Sequence, residues 1–283
     1  MIQIQKILKT AYLIIMILLY YGCNNSAQES KEDNSLQFLS KTEMILVPEG
    51  PFQMGIDNKT DEKPDEMPLH SVYLSAYYID KFEVTNRQYK KFISETGHPA
   101  PCIKNKKWAD DFNWDNNTYP ANAAEFPVVL VSWNDACKYA KWAKKRLPTE
   151  AEWEKASRGG LINKNYPSGD KLKFNQASFN KGYVRGKKLY PAGSYPPNGY
   201  GLNDMSGNVW EWCQDWYSDQ YYKNSPEKDP AGPDNGTYKA FRGGSWMSDI
   251  KYLKCAFRGK NVPEYRSPSI GFRCVVSKEF KNN

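Results

Sequence analysis

Histidine is almost absent from this chain, since His70 and His98 are its only two in 283 residues. No two of its six cysteines form a Cys-x-x-Cys pair. The chain therefore has too few histidines and paired cysteines to favour a zinc site or a Ser-His-Asp triad. The formal net charge of +7 is spread along the sequence without a basic block. Nucleic acid is accordingly not expected as a partner.

A long apolar run is missing too, but the N-terminus has the layout of an export signal. Two lysines precede an apolar stretch, residues 11–19, that is too short to cross a bilayer. A glycine and Cys23 follow, which resembles a bacterial lipoprotein cleavage site. We expect a signal peptide over residues 1–22, acylation of Cys23 and a polar tether over 23–40, with Asn24 favouring the outer membrane. The alternatives are an ordinary signal peptide or an uncleaved anchor.

Three capping boxes predict where helices begin. In such a box a Ser or Thr side chain, together with a Gln or acidic side chain three residues later, satisfies free backbone N–H groups. They predict helices over residues 86–96, from 132 to about 143, and from 149 to about 157. The boxes are formed by Thr85 with Gln88, Ser132 with Asp135, and Thr149 with Glu152.

Short strands and loops are expected for much of the rest. β-branched and aromatic runs bounded by turn residues are typical of strands. They occur at residues 44–47, 52–55, 71–80, 238–242, 254–258 and 271–276. The pattern indicates mixed α and β structure, most simply one domain over residues 41–279.

Four dense motifs dominate the C-terminal half: RLPTEAEWEKASRGG (146–160), PPNGYGLNDMSGNVWEWCQDW (196–216), FRGGSW (241–246) and IGFRC (270–274). With MILVPEGPFQMG and FEVTNRQYKKF nearer the N-terminus, they resemble the sulfatase-modifying factor, or formylglycine-generating enzyme, family. The resemblance is nearly continuous over the expected domain. It implies an irregular α+β fold related to C-type lectins, with few helices, short strands and long ordered loops.

The same resemblance implies a catalytic site that this chain lacks. Active members oxidise a cysteine of a client sulfatase with a copper ion held by two cysteines, because soft thiolates suit copper(I). Ser248 stands where the first copper cysteine belongs, and the second is missing from a shortened segment before Cys255. We expect no copper and no formylglycine generation. Cys255 is a weak candidate for a lone active thiol, against a buried or disulfide-bonded role, and Trp246, Ser245 and Ser248 would border the client-peptide groove.

A calcium site is also implied by the resemblance. Asp204 and Glu211 would supply carboxylate oxygens, and Gly207 and Val209 would supply backbone carbonyls, a ligand set that suits calcium. The alternative is that Asp204 caps a turn and Glu211 pairs with a basic residue. A second calcium loop of the family would fall near residues 178–189, but the residues there include no acid. We expect that second site to be lost.

One disulfide is implied with less support. Cys274 matches a family disulfide cysteine whose partner position holds Ala140 here, and Cys137 lies three residues earlier on the same helix face. A bridge between Cys137 and Cys274 is therefore expected, against Cys213 with Cys255 or no bridge at all. Five cysteines follow Cys23, so at least one thiol stays free or pairs between molecules.

Three functions are consistent with these observations. The first is a lipid-anchored, extracytoplasmic domain that binds a protein partner or a client peptide as an assembly component. The second is an oxidoreductase that modifies a cysteine of a sulfatase or another client. The third is a lectin-like module that binds glycans, which requires exposed aromatic side chains near the groove.

Overall fold

Three α-helices begin at the three capping boxes. The computed structural model describes residues 43–57, 64–180 and 189–278, and within them the helices are α1 (Asn86–Thr96), α2 (Trp133–Trp142) and α3 (Glu150–Arg158). In each box the N-cap hydroxyl accepts the backbone N–H three residues later, and that residue's side chain accepts the N-cap N–H. Helices α1 and α3 end at Gly97 and Gly159, both left-handed.

Short strands form three small sheets in the described part of the chain. The first has the order β1-β4-β9, the second is the pair β2-β3, and the third has the order β7-β6-β5-β8. Strands β5 and β8 run parallel, and the other pairs are antiparallel. The strands are β1 (Met44–Val47), β2 (Gly50–Met54), β3 (His70–Leu74), β4 (Tyr77–Asp80), β5 (Trp210–Trp216), β6 (Lys239–Arg242), β7 (Arg258–Asn261), β8 (Ile270–Gly271) and β9 (Val275–Ser277).

Some strand predictions were wrong in detail. The strand expected over residues 71–80 is two strands, β3 and β4, in different sheets. The one expected over 254–258 is mostly a turn that leads into β7. Strand β5, seven residues long, was not predicted. Its middle residues Glu211, Trp212 and Cys213 are all buried, so it lacks the alternation of apolar and polar side chains that marks a half-buried strand.

Helix α3 lies in the centre of the domain. All nine of its residues are buried, and it contacts β2, β3, β5 and β6. Five of the nine are charged, and a buried charge needs a partner to offset its lost hydration. Glu150 pairs with Arg258, Glu152 with Arg146, and Glu154 with both Arg158 and Arg242.

The architecture is an irregular α+β fold with few helices and short strands, as expected. The described residues from Met44 onward belong to one compact unit. Much of that unit is loop held by internal hydrogen bonds, as the fold class requires when regular structure is sparse. No helix among the described residues is long and apolar enough to span a bilayer.

Candidate functional site

The loop over residues 204–209 leads directly into β5 and has an unusual backbone. Asp204, Gly207 and Asn208 all have positive φ angles, of 56°, 81° and 57°. A Cβ atom at Gly207 would lie 2.1 Å from the carbonyl oxygen of Ser178. Glycine is therefore required at this point of the motif, both for its backbone angle and for the close approach of the neighbouring loop.

Glu211 lies in β5, just after this loop, and is fully buried. Both of its carboxylate oxygens accept hydrogen bonds from other side chains. Arg273 donates from Nε to Oε2 (2.7 Å) and from Nη2 to Oε1 (2.8 Å). The indole N–H of Trp153 also donates to Oε2, at 2.8 Å. This is the ion pair with a basic residue that the sequence left open for Glu211. A carboxylate already neutralised by a guanidinium is a poor calcium ligand.

Asp204 and Glu83 differ from Glu211, because not all of their carboxylate oxygens are hydrogen-bonded. Asp204 Oδ2 accepts the backbone N–H of Gly193 (2.6 Å), and Glu83 Oε1 accepts a bond from Asn208 Nδ2 (3.0 Å). The other oxygen of each carboxylate is buried and has no hydrogen-bond partner, and the same holds for Oδ1 of Asn203. Buried polar atoms are normally paired, so three orphan oxygens in one neighbourhood indicate a missing partner.

The ionised forms of both carboxyl groups are disfavoured by burial. Burial raises the pKa of Asp204 to about 6. Burial also raises the pKa of Glu83 well above its ordinary value, and the charge of Asp204 raises it further. A side-chain hydrogen bond from Glu83 lowers the pKa of Asp204 in part, so the two carboxyl groups interact directly. A bound cation favours the ionised form of both groups.

Asn208 holds the parts of this region together. Its backbone N–H donates to the Ser178 carbonyl and its own carbonyl accepts the Trp246 N–H, each at 2.9 Å. Its side chain accepts the N–H of Tyr190 (3.1 Å) and donates to Glu83. The carboxylate pair is thus tied through one residue to the FRGGSW motif.

The carboxylates of Asp204 and Glu83 fit a hard cation such as calcium, and they differ from the pair expected from the sequence, Asp204 and Glu211. Calcium takes six to eight oxygen ligands in flexible geometry. Asp204 and Glu83 each offer a carboxylate to such a cation, whereas Arg273 binds both oxygens of the expected ligand Glu211. Gly207 and Val209 remain predicted carbonyl ligands. Sequence reasoning missed Glu83, although it lies in the FEVTN motif just after β4.

A groove of about 900 Å³ opens on the side of β7. Four aromatic rings of its lining form a continuous surface: Trp210 contacts Phe241 (5.0 Å between ring centroids) and Phe257 (5.8 Å), and Phe257 contacts Tyr252 (4.9 Å). Trp210 and Tyr252 are half-buried, so their rings are partly open to the groove. Two of these ring pairs are edge-to-face and the Trp210–Phe257 pair is tilted, and their packing fixes the surface in place.

The three residues expected at the groove take different positions. Ser248 lines it, whereas Ser245 and Trp246 do not. The hydroxyl oxygens of Ser245 and Ser248 are 3.1 Å apart, and the Ser245 N–H donates to Ser248 Oγ at 3.0 Å. Trp246 donates its indole N–H to the Pro268 carbonyl (3.1 Å) and packs near Phe112. Trp246 is therefore a structural anchor of the loop.

The described cysteines are all free thiols in the structure, and three of them are buried. Cys255 is 1% exposed and accepts a bond from the Ser157 hydroxyl (3.3 Å), and burial raises its pKa to about 11. Cys137 and Cys274 are near enough that the charge of Cys137 raises the pKa of Cys274, although burial is the main cause. Their disulfide stays a prediction.

Four sequence predictions lie wholly or mainly outside the described residues. These are the signal peptide over residues 1–22, acylation of Cys23, the polar tether over 23–40, and the loss of the second calcium loop, whose residues 181–188 are not described. Among the residues that are described, no group of three or more His, Cys, Asp or Glu side chains is arranged to hold a metal. Any cation site at Asp204 and Glu83 must therefore rely on amide and carbonyl oxygens as well.

The fold and the site define a protein with an aromatic groove and a carboxylate-bearing loop on an irregular α+β scaffold. Residues 28–278 match the sulfatase-modifying factor enzyme 1-like domain, and the chain belongs to that family.

Individual relatives agree with this assignment. The chain is 34% identical to the formylglycine-generating enzyme of Bos taurus over 283 residues, which cover 83% of this chain and 75% of that protein. It is 37% identical to the serine/threonine-protein kinase pkn1 of Chlamydia caviae over 88% of this chain but only 40% of that longer relative. Among solved structures it is similar to PvdO from Pseudomonas aeruginosa, with a TM-score of 0.70 and 28% identity over 82% of this chain and 93% of that one.

Proposed function

We propose that this chain is an extracytoplasmic member of the family that binds a ligand in its groove and does not generate formylglycine. It acts as a binding or assembly component of a cell-surface system. The observation that carries the proposal is the side chain at the groove: Ser248 stands where the resemblance implies the first copper cysteine. A hydroxyl is a hard and weak ligand for copper(I), which prefers thiolates.

The rest of the described thiols support the same proposal. No cysteine belongs to the described lining of the groove. Cys255 is the alternative candidate, but it is buried and its raised pKa keeps it protonated at neutral pH. Only the thiolate is a good nucleophile and metal ligand, so Cys255 is suited to packing rather than to oxidation chemistry.

Copper(I) titration of the reduced full chain, in competition with a chromophoric chelator, tests this proposal. We expect no site that removes copper from the chelator, while the Bos taurus formylglycine-generating enzyme serves as the positive control. The variant Ser248→Cys supplies one thiolate and should bind more weakly than that control. A stoichiometric tight site in the natural chain would contradict the proposal, and its loss in Cys255→Ser would assign the site to that thiol.

We further propose that calcium occupies the site at Asp204 and Glu83. A cation that binds only the folded state raises the unfolding temperature by mass action. We expect the midpoint to be higher in millimolar calcium than in chelator, and Asp204→Asn to remove most of that difference. The exposed Asp110→Asn is the matched control and should respond like the natural chain. Equal midpoints of the natural chain in calcium and in chelator would exclude the site.

The proposed location is the bacterial cell envelope, through an acylated Cys23 and the polar segment that follows it. Metabolic labelling with a fatty acid should mark the natural chain and not Cys23→Ala. Label on both would place the modification elsewhere, and label on neither would favour an ordinary signal peptide.

A further inference from the structure

Helix α2 turns a row of lysines toward solvent. Lys138 and Lys141 are exposed and three residues apart, so they lie on one side of the helix. Lys144 is also exposed, just past the helix end, where its backbone N–H donates to the Lys141 carbonyl at 3.1 Å. The opposite side of α2 packs into the core through Tyr139 and Ala140. Together these three lysines form the lysine face.

The positive charge of the lysine face is not offset by an ion pair with any described acidic side chain. The acids that adjoin α2 are already engaged. Glu95 of α1 accepts the Trp142 indole N–H at 3.0 Å, and it also pairs with Lys91. Asp135 is buried and pairs with Arg266 at 2.6 Å. The lysine face therefore presents free positive charge to the surroundings.

The chain enters the domain beside the lysine face. Met44, the first residue of β1, lies opposite Asp80 of β4. Asp80 in turn pairs with Lys145, the residue that follows Lys144. The segment before β1, which carries the proposed anchor at Cys23, is thus joined to the domain close to one end of the lysine face.

We propose that the lysine face docks on the surface of an anionic lipid bilayer and so fixes the orientation of the domain on its membrane. This rests on the proposed function, namely on the anchor at Cys23. About 20 residues separate Cys23 from β1 and extend at most about 70 Å, so the anchor keeps the lysine face within reach of the bilayer. Contacts made by a tethered surface are intramolecular and need little affinity of their own.

The expected strength of docking follows from the number of charges. A lysine near an anionic bilayer strengthens binding about fivefold, so three lysines give about a hundredfold. That gain is too small to hold a free protein on a membrane, but it is sufficient for one that is already tethered. Salt screens it, because the Debye length falls from about 30 Å at 0.01 M to about 3 Å at 1 M.

The entry point of the chain favours a bilayer over an acidic protein as the partner. Any acidic surface attracts lysines, but the membrane is the one that the anchor holds next to Lys144. A bilayer is also broad and flat, which suits side chains spread along the outside of a helix. An acidic protein is therefore the alternative that the experiment must separate.

Amine labelling of the full chain, purified from membranes and reconstituted on vesicles, tests this orientation. One vesicle contains about 30% phosphatidylglycerol in phosphatidylcholine, and the other contains phosphatidylcholine alone. An acetylating reagent modifies exposed lysines, and peptide mass spectrometry gives the rate at each site. On the anionic vesicle we expect the lysine face to react at least about threefold more slowly, and this difference to vanish in about 1 M salt.

Three other lysines are the internal control. Lys104, Lys106 and Lys107 are also exposed, in the loop between α1 and α2. That loop packs through Phe112 against Trp246, on the side of the FRGGSW motif. Their labelling rates should differ by less than about 1.5-fold between the two vesicles, because they lie outside the docked surface.

A matched pair of variants extends the test. Lys141→Gln removes the middle charge of the lysine face and should weaken docking about fivefold. Lys138 and Lys144 should then regain most of their reactivity on the anionic vesicle. Lys106→Gln removes one charge from the control loop and should leave the protection of the lysine face unchanged.

Three results would overturn the inference: equal rates for the lysine face on the two vesicles, equal protection of the control lysines, or protection that persists in about 1 M salt. The first would leave the lysine face to an acidic protein. A tight copper(I) site would remove the non-catalytic proposal alone and leave this inference intact.

Failure of the anchor is recognised separately, because an unanchored chain does not float with vesicles in about 1 M salt. That outcome would remove the proposed location. Anionic vesicles added to the unanchored chain at about 0.01 M salt would then test the lysine face by the same labelling, and unchanged rates there would overturn the inference as well.

Discussion

At the scale of single residues, the meaning of a motif depends on partners that lie far along the chain. Glu211 sits in GNVWEWC, but Arg273, 62 residues later, makes it one half of an ion pair. Glu83 is unremarkable in the sequence, yet its carboxylate meets that of Asp204 in a buried site. The motif predicts a cation site beside Asp204, which stays a proposal. It did not predict which carboxylates remain available, because that is decided by tertiary pairing.

Asp215 yields a prediction at this scale. Its Oδ2 accepts the N–H of Glu150 at the start of α3 (3.0 Å), and burial, assisted by the charge of Glu150, raises its pKa from 3.8 to about 8. A carboxyl group whose pKa is raised on folding contributes stability that is complete below its unfolded pKa and lost as the pH rises through its folded pKa.

The corresponding experiment compares the natural chain with Asp215→Asn, which keeps an acceptor oxygen for the Glu150 N–H. Between about pH 5 and about pH 9 the free energy of unfolding of the natural chain should fall by at least about 1.4 kcal/mol more than that of the variant, the equivalent of one pKa unit. Denaturant titrations at several pH values measure it. Parallel pH profiles would show that Asp215 is ionised in the folded protein throughout.

At the scale of elements, the helices were the most predictable part of the fold. Their capping boxes are local signals, complete within four residues, and all three were confirmed. The central position of α3 could not be predicted in this way. Its sequence EAEWEKASR is mostly polar, which favours a surface helix, and it is buried only because arginines from β6, β7 and the α3 C-terminus neutralise its carboxylates. Strand β5 was missed for a related reason, since its fully buried face carries the acidic residues Glu211 and Asp215, whose partners lie far along the chain.

The burial of α3 makes its charges costly to unpair. Glu154 is 0% exposed and receives bonds from Arg158, from Arg242 and from the backbone N–H of Gly55 (2.8 Å). Glu154→Gln keeps the shape but removes the counter-charge of Arg158 and leaves Arg242 only its longer ion pair with Glu150 (3.4 Å). We expect a loss of about 3–5 kcal/mol in the free energy of unfolding.

The control for this prediction is an exposed ion pair. Lys164 and Asp170 are 2.9 Å apart on the surface. Asp170→Asn should change the free energy of unfolding by less than about 1 kcal/mol. Similar losses for Asp170→Asn and Glu154→Gln in denaturant unfolding would mean that the network around α3 does not hold the centre of the domain.

At the scale of the whole molecule, the chain has the fold of its family, and we propose that the chemistry at its groove differs from that of the formylglycine-generating members. The sequence predicted the α+β architecture and the family, because the motifs encode backbone turns and buried ion pairs that every part of the fold needs. Ser248 and Trp246 were both expected at the client-peptide groove, and in the structure Ser248 lines the groove beside β7 while the Trp246 indole N–H donates to the Pro268 carbonyl. An aromatic residue beside a groove residue in sequence can face either way, and only packing decides.

We expect the proposed calcium site and the groove to be linked at this scale through Asn208. That residue connects Glu83 to the backbone of Trp246, and Ser178 to the loop before β5. A cation at Asp204 would therefore stiffen one side of the binding groove. Affinity of the groove for its ligand should then be higher in calcium than in chelator, as expected for coupled binding sites.

The most direct test of the central claim is a turnover assay. The full chain is incubated with copper(I), oxygen and a cysteine-containing sulfatase peptide, at a protein concentration above that of the peptide so that even slow conversion is seen. Mass spectrometry then follows the peptide, with the Bos taurus formylglycine-generating enzyme as positive control. The account predicts an unchanged cysteine with this chain and an aldehyde with the control. Aldehyde formation by this chain would contradict it.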